Sequence, residues 1–241
     1  MLRKYLYPNL LLVMVIIAGL LVSCDSCIKA SGDIATEERF FSPFTGVVVE
    51  GNFQVRLTQG TTTSVKVTAD DNLLSYIKTY VQGSNLVLTL EGNKCFKKES
   101  DIIIEITLPD IRHIQLDSDG NIVTMNRIKG DSISILHRGA GKMDIADSCR
   151  SAFIQATGIG PLQVIGEVDR VRIENRGQGI INTQFFLANK AYVFAGNIGG
   201  VLVYASQELT GEISSAGNIL YFGNPPVVSI VDNGSGSAIP Q

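Results

Sequence analysis

The sequence predicts an all-β protein built as a parallel β-solenoid of about 19-residue coils, with an irregular β-rich cap at its N-terminal end. Three observations predict it. Glycine recurs with a fixed period: Gly139, Gly158 and Gly177 open Gly-x-Gly pairs 19 residues apart, and Gly234 opens another three periods later. Apolar and polar residues alternate on both sides of these pairs, as in Lys142-Met143-Asp144-Ile145 and Val171-Arg172-Ile173-Glu174, which is the period of a half-buried strand. One such unit cannot bury its own apolar face. The units must therefore stack, with equivalent strands about 4.8 Å apart around a narrow aliphatic core.

Composition bounds the rest. The 241 residues carry 20 Lys+Arg against 23 Asp+Glu, a net charge of −3, and 45% are hydrophobic. That apolar content suits one folded domain or two small ones rather than a disordered chain. The acidic balance argues against nucleic acid as a partner, since such a binder needs a basic patch to displace counterions. With only two His, few side chains are available for acid–base chemistry near neutral pH.

Residues 1–23 begin with Arg3 and Lys4 and continue in an apolar run from Leu10 to Val22. The run is shorter than the roughly 20 residues a bilayer span needs and fits the central segment of a signal peptide. It ends in Leu21-Val22-Ser23-Cys24, which resembles the lipobox of bacterial lipoproteins. That resemblance implies cleavage before Cys24 and a lipid anchor on its thiol and new amine. Several acyl chains hold firmly, because each buried CH₂ contributes about 0.8 kcal/mol. Residues 24–39 are polar and rich in small side chains, and are expected to form a tether. Cys27, Cys95 and Cys149 remain for disulfide formation, and three thiols allow at most one intramolecular pair.

Residues 40–110 are β-rich without the 19-residue period. Val47–Glu50, Phe53–Thr58, Ser64–Thr68, Leu86–Leu90 and Ile102–Leu108 read as strands, and Asp70-Asp71-Asn72 followed by Leu73, Leu74 and Ile77 as a capped helical turn. Longer coils or a small sheet here would close the N-terminal end, because an open solenoid exposes both core and strand edge. Residues 111–241 are the regular coils. Filling the period adds Gly120, Gly196 and Ser215, so seven slots from 120 to 234 carry glycine or serine. Glycine is expected at these corners for a positive φ and because stacked corners leave no room for a Cβ. At the far end Pro225-Pro226 and Pro240 lack an amide donor for further stacking.

Chemistry-bearing clusters are sparse. Asp117-Ser118-Asp119-Gly120-Asn121 hints at a calcium loop, but an EF-hand needs Gly sixth and Glu twelfth, and here the twelfth residue is Ile128. His113 and His137 fall in different coils outside any metal-ligand spacing. His137 shares a ladder position with Ala156, Asn175, Phe194 and Ile213 when the period is kept strictly. Asp144, Glu167, Asp169, Arg170, Arg172 and Glu174 point outward but are scattered over adjacent coils with their charges interleaved, the pattern of a solvated face. Lys94, Lys97 and Lys98 around Cys95 read as a solvated loop. No catalytic residue, metal ligand or cofactor-binding residue is assigned, and the one site residue is Cys24 as lipid anchor.

The chain resembles the head GIN domain family, described as a putative auto-transporter adhesin. The likeness lies in Phe53-Gln-Val-Arg-Leu, Ala69-Asp-Asp-Asn-Leu-Leu, Leu108-Pro-Asp-Ile, the Gly-x-Gly turns and Ser215-Ala-Gly-Asn-Ile-Leu-Tyr-Phe-Gly-Asn-Pro, and it covers residues 40–236 as one domain. It implies a β-solenoid lipoprotein of the bacterial envelope, and it supplies no catalytic residue. Three functions follow: an adhesin-like, non-catalytic module offering an extended surface to glycan or protein; a periplasmic structural or regulatory protein; and a glycan-active enzyme of the β-helix type. A strip of exposed aromatic residues would favour the first. Tyr192, Phe194 and Tyr204 are its candidates, against an expectation that they pack beneath the sheet.

Overall fold

The computed structural model describes residues 27–92, 96–97 and 100–241, so Cys24, Cys95 and the apolar run lie outside the described residues. Its early strands are β1 (Ile28–Lys29), β2 (Ile34–Arg39), β3 (Gly46–Val49), β4 (Gln54–Gln59), β5 (Ser64–Asp70), β6 (Ile77–Gln82), β7 (Asn85–Leu90), β8 (Phe96–Lys97) and β9 (Ile103–Leu108). The later ones are β10 (His113–Leu116), β11 (Asn121–Thr124), β12 (Ile128–His137), β13 (Met143–Ala156), β14 (Leu162–Asn175), β15 (Ile181–Ala195), β16 (Val201–Ile213), β17 (Ile219–Phe222), β18 (Val227–Asp232) and β19 (Ala238–Pro240). From β10 onward every coil pairs in parallel with the next, which makes the molecule a β-solenoid of about seven turns.

Each coil lays one strand segment on each of two sheets, and the long strands β13–β16 bend from one sheet to the other. Side chains that alternate inward meet between the sheets. Ile135, Ile154, Ile173 and Val193 form one wholly buried ladder, and Met143, Leu162, Ile181 and Val201 form another. Each such side chain contributes roughly 1.5–3 kcal/mol on burial. The intervening residues face water, which is why alternation in the sequence translates directly into two surfaces and one core.

The spacing departs from 19 in two places. Ile114 lies beside Ile135, 21 residues on, because the turn between Val123 and Ile128 carries two extra residues. Ile173 lies beside Val193, 20 residues on, because a bulge in β15 adds one, and the next step, Val193 to Gly211, is 18. Two of the expected slots therefore move. Gly120 stacks under Gly141 rather than Gly139, and Gly199, not the expected Gly196, packs against Gly177 and Gly179. The reason for glycine is also narrower than expected. The glycines of the Gly-x-Gly corners do not have positive φ; among the described residues those that do are Gly32, Gly83, Gly92, Gly166 and Gly223. A Cβ on Gly141 would overlap the carbonyl oxygen of Gly120, and one on Gly139 that of Ser118. Close approach of stacked backbones is the constraint.

The cap is written out of order. Strands β3 and β4 form a coil beneath β10 and β11. The chain then leaves through β5, a 3-10 turn (Asp71–Tyr76) and β6, and returns as β7 and β9 to lay the end coil beneath β3 and β4. Strand β6 closes β7 and β5 closes β9, both antiparallel, and β2 adds antiparallel to β5. These reversed strands cover the core that an open end would expose. The five strands expected in this region are present, and the turn is where the sequence put it, but Ile77 opens a strand instead of ending a helix.

The tether is not seen over residues 28–39. Strand β1 pairs with β8, the Ser31 amide donates to Asn72 Oδ1 (3.1 Å), and the Gly32 amide donates to Asp70 Oδ1 (2.8 Å). Arg39, its side chain 14% exposed, reaches the carbonyls of Ile77 (2.7 Å) and Leu74 (3.0 Å). A polar composition misled here because β2 is an outermost strand with both faces wet, and such a strand needs few apolar residues. Cys27 is disulfide-bonded, while Cys149 is a free thiol.

Candidate functional site

The outward residues of β13–β16 on one sheet form two adjacent ladders. Phe153, Arg172, Tyr192 and Thr210 stand in register in one, and Gln155, Glu174, Phe194 and Glu212 in the other. Neighbouring coils are close enough for these side chains to stack. The Arg172 guanidinium lies over the Tyr192 ring at 4.4 Å, and that of Arg176 lies over Phe194 at the same distance. Such contacts contribute about 0.5–1 kcal/mol at exposed positions.

Glu174 holds both arginines. It accepts from Arg172 Nε (2.8 Å), from Arg176 Nε (3.1 Å) and from Gln155 Nε2 (3.1 Å), and Arg172 Nη2 pairs with it at 2.6 Å, with its side chain 8% exposed. Burial by itself would raise its pKa, but the hydrogen bonds from Arg172, Gln155 and Arg176 outweigh it and hold the carboxyl below its ordinary range. Beside the ladders runs a shallow groove of about 400 Å³ lined by Arg170, Arg172, Lys190, Tyr192, Glu208 and Thr210. It is an open trough, suited to a chain lying across it.

The aromatic residues thus divide. Tyr192 and Phe194 are half-buried and point outward, while Ala191, Val193 and Ala195 between and beside them fill the core. The expectation that they pack beneath the sheet is overturned, because the one-residue bulge in β15 moves them off the inward phase. Tyr204 also faces outward, but on the opposite sheet. There it lines a groove of about 590 Å³ with Cys149, Glu167, Asp169, Leu187 and Asn189. Phe185, Leu187 and Ile165 protrude beside it, exposed by 61%, 46% and 36%. The same bulge raises Phe185 and Leu187.

The scattered charges are ion-paired as a solvated face would be. Asp144 meets Lys142 (2.7 Å), Asp169 meets Arg170 (3.7 Å), and Glu167 meets Arg127 (3.9 Å). Asp117 accepts from Gln115 Nε2 (2.6 Å) and pairs with Arg138 (3.7 Å), and Ser118 donates to the Gly51 carbonyl (2.8 Å). The stretch with a calcium-like pattern is therefore a tied polar corner. Among the described residues no group of three or more His, Cys, Asp or Glu gathers as a metal site would. His113 contacts Gln115 (3.2 Å). His137 is wholly buried and its Nε2 donates to the Gly141 carbonyl (2.8 Å), which places the proton on that nitrogen. Burial lowers the pKa of both rings. In its ladder His137 is followed by Ala156, Asn175, Ala195 and Ile213, so Ala195 stands where the strict period puts Phe194. Asn175 repeats the device of His137 by donating to the Gly179 carbonyl (2.9 Å).

Two features escaped the sequence. Arg176, Phe153 and Gln155 complete the Glu174 cluster, and a signal for it existed in Arg172-Ile-Glu174-Asn-Arg176, which presents three charges on one strand face. Asp147 is wholly buried and neither carboxylate oxygen has a hydrogen-bond partner. Burial pushes its pKa up to about 6, and the nearby Cys149 thiol and Ser148 amide relieve only part of that. The thiol donates instead to the Ser151 carbonyl (3.3 Å). Burial, followed by Asp147, raises the Cys149 pKa, which favours the protonated thiol.

The two-sheet solenoid and its antiparallel cap match known proteins. The model of the family described as putative auto-transporter adhesin, head GIN domain, covers residues 43–225. The chain belongs to this family. A crystal structure of a putative adhesin from Bacteroides fragilis is 22% identical, with a TM-score of 0.85 over 89% of this chain and all of the other. A putative lipid binding protein from Parabacteroides distasonis is 23% identical, with a TM-score of 0.73 over 89% of this chain and all of the other. A putative adhesin from Parabacteroides merdae is 16% identical, with a TM-score of 0.66 over 88% of this chain and 98% of the other. No curated protein matches the chain. The head GIN domain of this chain thus shares its architecture with proteins whose sequences have diverged widely.

Proposed function

We propose that this head GIN protein is a lipid-anchored, non-catalytic binding module of the bacterial cell envelope. Cys24 carries the lipid in the outer membrane, and the face around Arg172, Glu174 and Tyr192 receives an extended glycan or protein. The observation that carries this reading is the Glu174 cluster. Two arginine–aromatic stacks are held in place by one carboxylate that three hydrogen bonds hold in turn. Arginine and tyrosine are the residue types that dominate binding energy at interfaces, and side chains already ordered lose less entropy when a ligand arrives. Asp144, Glu167, Asp169 and Glu174 are paired with neighbouring cations, which suits recognition better than acid–base chemistry.

Protease digestion of intact cells, with lysed cells as control, tests the reading. Cleavage of the later coils before lysis is the expected result. Protection until lysis overturns the adhesin role and favours a periplasmic partner. A second reading comes from the opposite face, where Phe185, Leu187 and Ile165 are exposed and a structural relative carries the description of a lipid binding protein. An apolar ligand would bind there, and Phe185→Ser would weaken it without touching the Arg172 face.

A further inference from the structure

Only Asp25 and Ser26 separate Cys24 from Cys27, so the two Cα atoms lie within about 11 Å of each other whatever path the chain takes. From Ile28 onward the chain is fastened to the cap. Ile28 and Lys29 pair in register with Phe96 and Lys97. Ser31 Oγ donates to Asp71 Oδ1 (2.6 Å), and Asn72 Nδ2 donates to the Lys29 carbonyl (2.9 Å).

We propose that the cap end of the solenoid is a membrane-docking surface, on which Lys29 and Lys97 pair with anionic phospholipid headgroups. The proposal rests on the lipid anchor at Cys24 put forward above. A lipid on a 14-residue tether would leave the domain free tens of ångströms from the bilayer. A lipid four residues from the strand-paired Ile28 instead brings the cap to headgroup depth. What stands there is suited to it. Lys29 and Lys97 lie side by side across the β1–β8 pair, both exposed, and neither is in an ion pair among the described residues. Like charges in directly opposed positions destabilise a sheet, and a phosphate surface removes that repulsion. The rod then rises from the membrane on its cap, with the Arg172 face several coils above the headgroups.

One labelling experiment on the full, membrane-extracted protein tests this. The protein is reconstituted in vesicles of phosphatidylethanolamine with phosphatidylglycerol, and separately in vesicles of phosphatidylcholine. A water-soluble amine reagent is applied, and labelling of each lysine is read by mass spectrometry relative to exposed Lys129 in a later coil. The expected result is about fivefold slower labelling of Lys29 and Lys97 in the anionic vesicles than in the neutral ones. The mass of the N-terminal peptide reports in the same run whether Cys24 is lipidated. A lipidated Cys24 with equal labelling in both vesicles overturns the headgroup contact and leaves the anchor standing. An unmodified Cys24 removes the anchor and the docking surface together.

Discussion

Asp147→Asn is the most informative single substitution, because its effect should depend on pH in a way no packing change reproduces. Asp147 sits in register between Ile128 and Gly166, wholly buried, in a corner so tight that a Cβ on Gly166 would overlap its carbonyl oxygen. Its carboxyl titrates at about 6 in the folded protein against 3.8 in the open chain. Between these values the folded state keeps a proton that the unfolded state has released, so stability falls as pH rises. The contribution is complete below the unfolded value and gone above the folded one. A difference of about 2 units amounts to about 3 kcal/mol. Asparagine has the shape of the neutral acid and does not titrate. The variant should match the parent near pH 4 and exceed it by about 3 kcal/mol above about pH 7. Followed by circular dichroism, that is a gain in Tm of roughly 5–10 °C for a chain of this length. Parallel pH profiles for the two proteins, or a variant less stable than the parent at neutral pH, would refute the buried-charge argument.

Two further substitutions test the remaining architecture. Gly141→Ala places a methyl group against the Gly120 carbonyl, a backbone atom that cannot step aside, and should cost about 3 kcal/mol or more; an unchanged Tm would show that the corners tolerate a side chain. Glu174→Gln keeps the shape of the cluster but removes the charge that Arg172 and Arg176 share, for a loss of about 1 kcal/mol at neutral pH. Because the carboxyl of Glu174 is held below its ordinary value of 4.5, its contribution is present above that value and disappears as pH falls through the folded one. The parent and the variant should therefore converge in acid, and denaturation at neutral and acid pH checks it.

Much of the fold was legible because a solenoid repeats a local rule. The alternation in Val171-Arg172-Ile173-Glu174 assigns each side chain to core or water without knowledge of its neighbours. Close stacking of corners selects glycine at Gly139, Gly158 and Gly177. The five strands between Val47 and Leu108 announced themselves by the same alternation. The binding face was legible only in part. Arg172 and Glu174 were recognised as outward, but their arrangement with Tyr192 and Phe194 was not, since those rings lie 20 residues away in the chain.

The sequence by itself determined the architecture, the core and the composition of each face. These depend on a period of two along the strand and on crowding at the corners, and both are written into neighbouring residues. Tertiary structure alone decided the register. Two extra residues before Ile128 and one in β15 change which side chains stack, and no local pattern marks the coil in which a bulge is absorbed. Tertiary structure also decided that residues 28–39 belong to the cap, through pairing with strands that lie from 26 to 68 positions away. It buried Asp147 without a partner. Pairing between distant residues governs each of these outcomes, and a strand's own composition does not reveal the neighbour it will meet.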